Sequence, residues 1–101
     1  MKRSYRLTRR AIRDLEAVQD YYNQSSIRVG HRFIDAVYAA VEEVRERPTS
    51  FPEVEPGVRT VRCKKFPYKV YFELLPDDSI MVGAIYHGAR DPRRWNDPTR
   101  H

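Results

Sequence analysis

Apolar residues recur at three- and four-residue spacing through the first half of the chain and at alternate positions through the second. Ala11, Ile12, Leu15, Val18 and Tyr22 fall on one face of a helix that the Thr8 hydroxyl can cap and that Asn23-Gln-Ser-Ser ends. Arg9, Arg13, Glu16 and Asp20 lie off that face, with Arg13 and Glu16 spaced to pair across one turn. A second helix runs from Ile27 to Arg47 behind the stripe Val29, Phe33, Ile34, Val37, Val41 and Val44, with Tyr38 at its border. Pro48 ends it, because the residue before a proline is pushed out of helical geometry. The short connection makes the two helices an antiparallel hairpin.

Before the helices, Ser4–Leu7 alternates over a stretch long enough only for an edge strand. After them, Thr49–Gly57 is a proline-rich connector packed through Phe51. Three strand patterns follow, at Val58–Lys65, Tyr68–Leu75 and Ile80–Tyr86, joined by turns too short for a parallel crossover, so they form a meander. Tyr68, Val70, Phe72 and Leu74 share the face that should meet the helices, while Lys69, Tyr71 and Glu73 share the other. The last strand is apolar on both faces, as expected where a strand is covered on two sides. The pattern therefore predicts one α+β domain over residues 1–101, ordered β-α-α-β-β-β. Its helical hairpin packs on one face of a mainly antiparallel four-stranded sheet. Which sheet edge takes the N-terminal strand stays open.

Composition narrows the class. At 41% hydrophobic and 33% charged, the chain is a globular sequence rather than a disordered one. Its formal charge of +5 suits a polyanion or an acidic protein as partner. The charge is concentrated: Arg59, Arg62, Lys64, Lys65 and Lys69 occur between Val58 and Phe72 with no acidic residue among them. Such a run can simply protect a strand edge, but here it falls on adjacent strands. The single cysteine, Cys63, excludes an internal disulfide and offers no metal-site spacing. It alternates with Val61 and reads as a small buried hydrophobe rather than a nucleophile. The start, Met-Lys-Arg-Ser-Tyr, has no apolar h-region, and no run approaches a membrane span, so a cytoplasmic protein without a membrane partner is expected.

An ordered set of short motifs then carries a resemblance over almost the whole chain: Tyr5-Arg-Leu-Thr with Ala11 and Asp14-Leu15, Phe51-Pro, Arg59 with Arg62, Pro67-Tyr-Lys-Val-Tyr-Phe, and His87-Gly-Ala-Arg-Asp-Pro with Trp95. With the strand–hairpin–meander order, this resembles the RelE/ParE superfamily of toxins from bacterial type II toxin–antitoxin systems. The closing His-Gly-Ala-Arg-Asp is most similar to ParE-like members. The resemblance implies a small plasmid-stabilisation-type growth inhibitor, without cofactor or metal, bound by a cognate acidic antitoxin in a toxin–antitoxin hetero-oligomer. ParE-like relatives inhibit DNA gyrase by binding, whereas RelE-like relatives cut mRNA on the ribosome.

Metal-free RNA cleavage needs a base for the 2′-hydroxyl, cations for the phosphorane charge and an acid for the leaving oxygen. By resemblance, Arg62, Lys69, His87 and Arg90 match positions of catalytic residues in RelE-like members. Two departures stand against that chemistry. Gly88 occupies the place of a tyrosine in histidine-bearing members, and Asn96, beside Trp95, occupies that of the C-terminal tyrosine of RelE. Lys69 also lacks the bidentate fork of the arginine it replaces. The leading expectation is thus gyrase binding through Arg59, Arg62, Lys64, Lys65, Lys69, Arg90 and Trp95. The alternatives are a ribosome-dependent mRNA endonuclease using Arg62, Lys69, His87 and Arg90, and a non-toxic antitoxin partner or co-repressor.

Overall fold

In the computed structural model residues 2–88 are described. Thr8 caps α1 (Arg9–Asn23) by accepting the Ala11 N–H on Oγ1 at 3.1 Å. Ser26 caps α2 (Ile27–Glu46) by accepting the Val29 N–H at 3.4 Å. Each hydroxyl satisfies a backbone donor that the helix itself leaves without a partner. Ahead of Pro48, Arg47 ends α2, and one 3-10 turn, Pro48–Ser50, leads off toward the sheet.

The sheet is built from β1 (Tyr5–Leu7), β2 (Glu53–Glu55), β3 (Val58–Arg62), β4 (Tyr68–Leu74) and β5 (Ile80–His87), in the order β1-β5-β4-β3-β2. The described residues thus hold five strands, where the pattern predicts four. The addition is β2, a three-residue strand inside the proline-rich connector. It pairs antiparallel with β3 through Glu53↔Arg59 and Glu55↔Val58. Flanked by Pro52 and Pro56, it is too short to show a period, and its outer-edge place tolerates the missing donors. The N-terminal strand joins the opposite edge, where β1 lies parallel to β5 with Tyr5 beside Ile80 and Leu7 beside Val82.

Val61, Val70, Phe72, Ile80 and Val82 meet Phe33, Val37, Val41 and Val44 in the main core between sheet and helices. The helical stripes hold with two exceptions: Ile12 is 44% exposed, with Ala11, Leu15, Val18 and Tyr22 making the inward face of α1, and Val29 lies outside the core and lines a surface groove beside α2. Arg13 and Glu16 do not form the ion pair that their spacing allows. A second cluster, Val58, Tyr71, Ala84 and Tyr86, is buried on the outer face, so β5 is indeed apolar on both sides. Around Gly83 the register of β5 slips, with Tyr71 opposite Ala84 but Phe72 opposite Val82. That bulge lets Val82 and Ile85 both face the helices, although they lie three positions apart.

Beyond the end of β1, α1 takes over the edge of β5. The Thr8 hydroxyl donates to the Gly83 carbonyl at 3.0 Å, and Asp14 Oδ2 accepts the Ile85 N–H at 3.0 Å. Backbone groups that a longer β1 would have paired are met by side chains instead.

Candidate target-binding site

Arg62 closes β3 and Lys69 is the second residue of β4, and the two are register partners. By alternation both stand on the outer face, in line with Thr60 and Tyr71. Neither has an acidic partner among the described residues. Like charges directly opposite one another on neighbouring strands repel, so an anion placed between them relieves an existing cost.

One residue along, Tyr68 on β4 is the register partner of His87 on β5, their rings edge to face at 5.3 Å between centroids. The Gly88 N–H donates to the Pro67 carbonyl at 2.7 Å and ties the end of β5 to the start of β4. Arg62, Lys69, Tyr68 and His87, with Pro67 and Gly88, thereby line one concavity of about 280 Å³ at the end of the sheet. Two cations in one wall suit an anionic group there, a phosphate or a carboxylate.

The remaining predicted basic residues are placed elsewhere. Arg59, three positions before Arg62, is the register partner of Phe72 and lies on the helix side. Its Nη1 donates to the Phe51 carbonyl at 2.6 Å and the Thr49 carbonyl at 3.4 Å, and its Nη2 stands 3.4 Å from Glu53. It pins the connector and β2 to β3. Lys64 and Lys65 occupy the turn after β3, on the side toward α2, where Lys64 comes within 3.9 Å of Glu43. Lys65 has a φ of 69°, in the left-handed region. Arg90 and Trp95 lie outside the described residues.

Two features escape the sequence pattern. Tyr68 borders the concavity although alternation places it on the core side, where its ring also packs against Phe33. Arg10 lies over the Tyr86 ring at 4.9 Å, its Nε 4.0 Å from Asp14 Oδ2. Tyr86 is the cross-strand neighbour of Lys69, so Arg62, Lys69, Tyr86 and Arg10 follow one another across the sheet end. The i, i+4 spacing of Arg10 and Asp14 was the available signal, but a helix reaching over a sheet edge leaves no periodicity. Cys63, beside Arg62 in sequence, is buried, and burial pushes its thiol up to about 11, so it stays protonated and unreactive near neutrality. Among the described residues no cluster of His, Cys, Asp and Glu could hold a metal ion, and no helix is long and apolar enough to cross a membrane.

A helical hairpin backing a sheet whose far end gathers cations is the architecture that the sequence resemblance implies. The chain belongs to the family of ParE toxins of type II toxin–antitoxin systems of the parDE kind, whose family model matches residues 5–92. Among solved structures it is similar in fold to a chain of the chromosomal ParDE toxin–antitoxin system from P. aeruginosa, with a TM-score of 0.74 and 22% identity over 85% of this chain and 96% of that one. No curated protein matches it by sequence.

Proposed function

We propose that this toxin arrests growth by gripping DNA gyrase through the cationic end of its sheet, and that a cognate acidic antitoxin neutralises it. The observation that carries the reading is the facing pair Arg62 and Lys69, held without acidic partners in a concavity with His87. A binding protein needs only such a complementary surface, whereas a nuclease also needs a placed acid and base. Inducing the chain in a susceptible host then produces filamentation and DNA-damage signalling, with translation continuing.

A specific contact favours one second reading. Tyr68 and His87 lie ring to ring, and both border the concavity that Arg62 and Lys69 line, so a tyrosine and a histidine occur in the same wall as two cations. That set has the group types for metal-free mRNA cleavage. Under it, induction instead stops protein synthesis within minutes and leaves codon-positioned cuts in ribosome-bound mRNA. No growth effect at all would overturn both readings and leave the antitoxin-partner role.

A further inference from the structure

We propose that the anion taken up between Arg62, Lys69 and His87 is a phosphodiester of duplex DNA, so that the toxin grips gyrase through the DNA that the enzyme holds. This rests on the gyrase reading above and names the group that is gripped at the same site.

The wall is cationic but has nothing to anchor a protein. Arg62 and His87 are exposed at the rim, with Lys69 half-buried on the strand between them. Among the described residues the exposed large apolar side chains are Ile12 and Tyr21 on α1 and Ile27 and Tyr38 on α2. No such side chain lies on the sheet. On its outer face Tyr71 and Tyr86 are 1% and 3% exposed, too deep to enter a partner. A protein interface draws most of its affinity from aromatic and other anchors packed at its centre. A nucleic-acid interface draws much of it from cations set against phosphates.

The same rings decide between duplex and single strand. Single strands are held by stacking successive bases on open aromatic faces. Here Tyr71 and Tyr86 are buried, and Tyr68 packs on Phe33 at 5.4 Å between centroids. His87 is exposed, but one ring makes no stacking platform. A duplex needs none, because phosphate contacts alone position its backbone.

Gly88 keeps the approach open. A Cβ there would stand 3.8 Å from Lys69 Cε and 3.5 Å from the Pro67 carbonyl oxygen, among the residues that line the concavity. Without a side chain at this position, a ligand backbone can come close to the Lys69 ammonium.

The test is fluorescence anisotropy of a labelled duplex of about 20 base pairs, titrated with the purified chain over a range of salt. The parent is expected to bind with a Kd of about 10 µM at low salt. Arg62→Ala/Lys69→Ala should bind about tenfold more weakly or worse, and should flatten the slope of log K against log salt by about 2. Gly88→Val changes no charge and should weaken binding about threefold or more. Arg28→Ala/Arg32→Ala removes the same charge from exposed positions on α2 and should keep an affinity and slope near the parent's. Circular dichroism melting checks that each variant stays folded. No duplex binding at about 100 µM chain would overturn the proposal. So would equal losses from the α2 pair, parental binding by Gly88→Val, or tighter binding of labelled oligouridylate or polyglutamate than of the duplex. Supercoiling assays keep this apart from the target itself. A chain that stops gyrase without binding duplex refutes the phosphodiester and leaves the target standing. One that binds duplex at this site but spares gyrase keeps the phosphodiester and refutes the target.

Discussion

Asp14 on α1 accepts the Ile85 N–H of β5 at 3.0 Å, so a helix side chain stands where a strand would otherwise pair. β1 covers β5 only from Ile80 to Val82. Without Asp14 and Thr8 the next part of that edge would be open to another chain. Asp14→Ala is expected to cost about 1–3 kcal/mol, the penalty of leaving a partly buried donor without an acceptor. Asp14→Asn should lose less, since its amide oxygen still accepts. Urea unfolding with amide exchange at Ile85 checks this, and unchanged Ile85 protection in Asp14→Ala would remove the edge-closing role.

At the hairpin, the side chain of Asn23 occupies the space that a Cβ on Gly30 would need, and its Oδ1 is buried without a hydrogen bond. The obstructing atoms are the free end of a half-buried side chain, so in Gly30→Ala it should swing outward and the variant should keep part of the helix-propensity gain of about 1 kcal/mol. Thermal unfolding checks this; a loss of about 1–3 kcal/mol that Asn23→Ala restores would show instead that Asn23 is held in place.

Arg59 and Arg62 lie three residues apart and are expected to do different work. Arg59→Ala frees the connector from the Phe51 carbonyl and Glu53, and should cost about 1–3 kcal/mol. Arg62→Ala, at an exposed position, should change stability by less than about 0.5 kcal/mol while reducing toxicity. Denaturation and growth assays on the two variants check the split. Equal loss of stability from both would contradict it.

Cys63 gives a pH signature. Its thiol titrates from 9.0 when unfolded and is pushed up to about 11 by burial when folded. Folding therefore favours the protonated thiol. That contribution is fully present below pH 9 and is lost as pH rises through about 11. Tyr71 and Tyr22 are also raised by burial, so stability keeps falling at higher pH. Cys63→Val should flatten the first part of the fall. At pH 8 the native thiol should resist iodoacetamide while the urea-unfolded chain is labelled readily; rapid labelling of the native protein would contradict its burial.

Much of this fold was written in short-range signals. Thr8 and Ser26 cap their helices, Pro48 marks the end of α2, and alternation from Tyr68 to Leu74 assigns both sheet faces correctly. What stayed hidden depends on neighbours distant in sequence. β2 is too short to show a period, and Ile12 satisfies the helical spacing yet lies exposed because the inward stripe of α1 runs through Ala11, Leu15, Val18 and Tyr22. The candidate site divides the same way. That Arg62 and Lys69 lie on adjacent strands follows from the strand order, whereas their register across the connection of residues 63–67 and the parity that sends Arg59 to the opposite face need the strand boundaries. Tyr68 enters the concavity only because β5 runs on to His87 and Gly88 closes on Pro67.

Inhibition of DNA gyrase supercoiling by the purified chain, measured for the parent and for Arg62→Ala/Lys69→Ala, tests the central claim most directly. The parent should stop supercoiling, and the double variant should need about tenfold more protein or higher while melting at the same temperature. A double variant as potent as the parent would contradict the site, and a parent that leaves gyrase untouched would contradict the target.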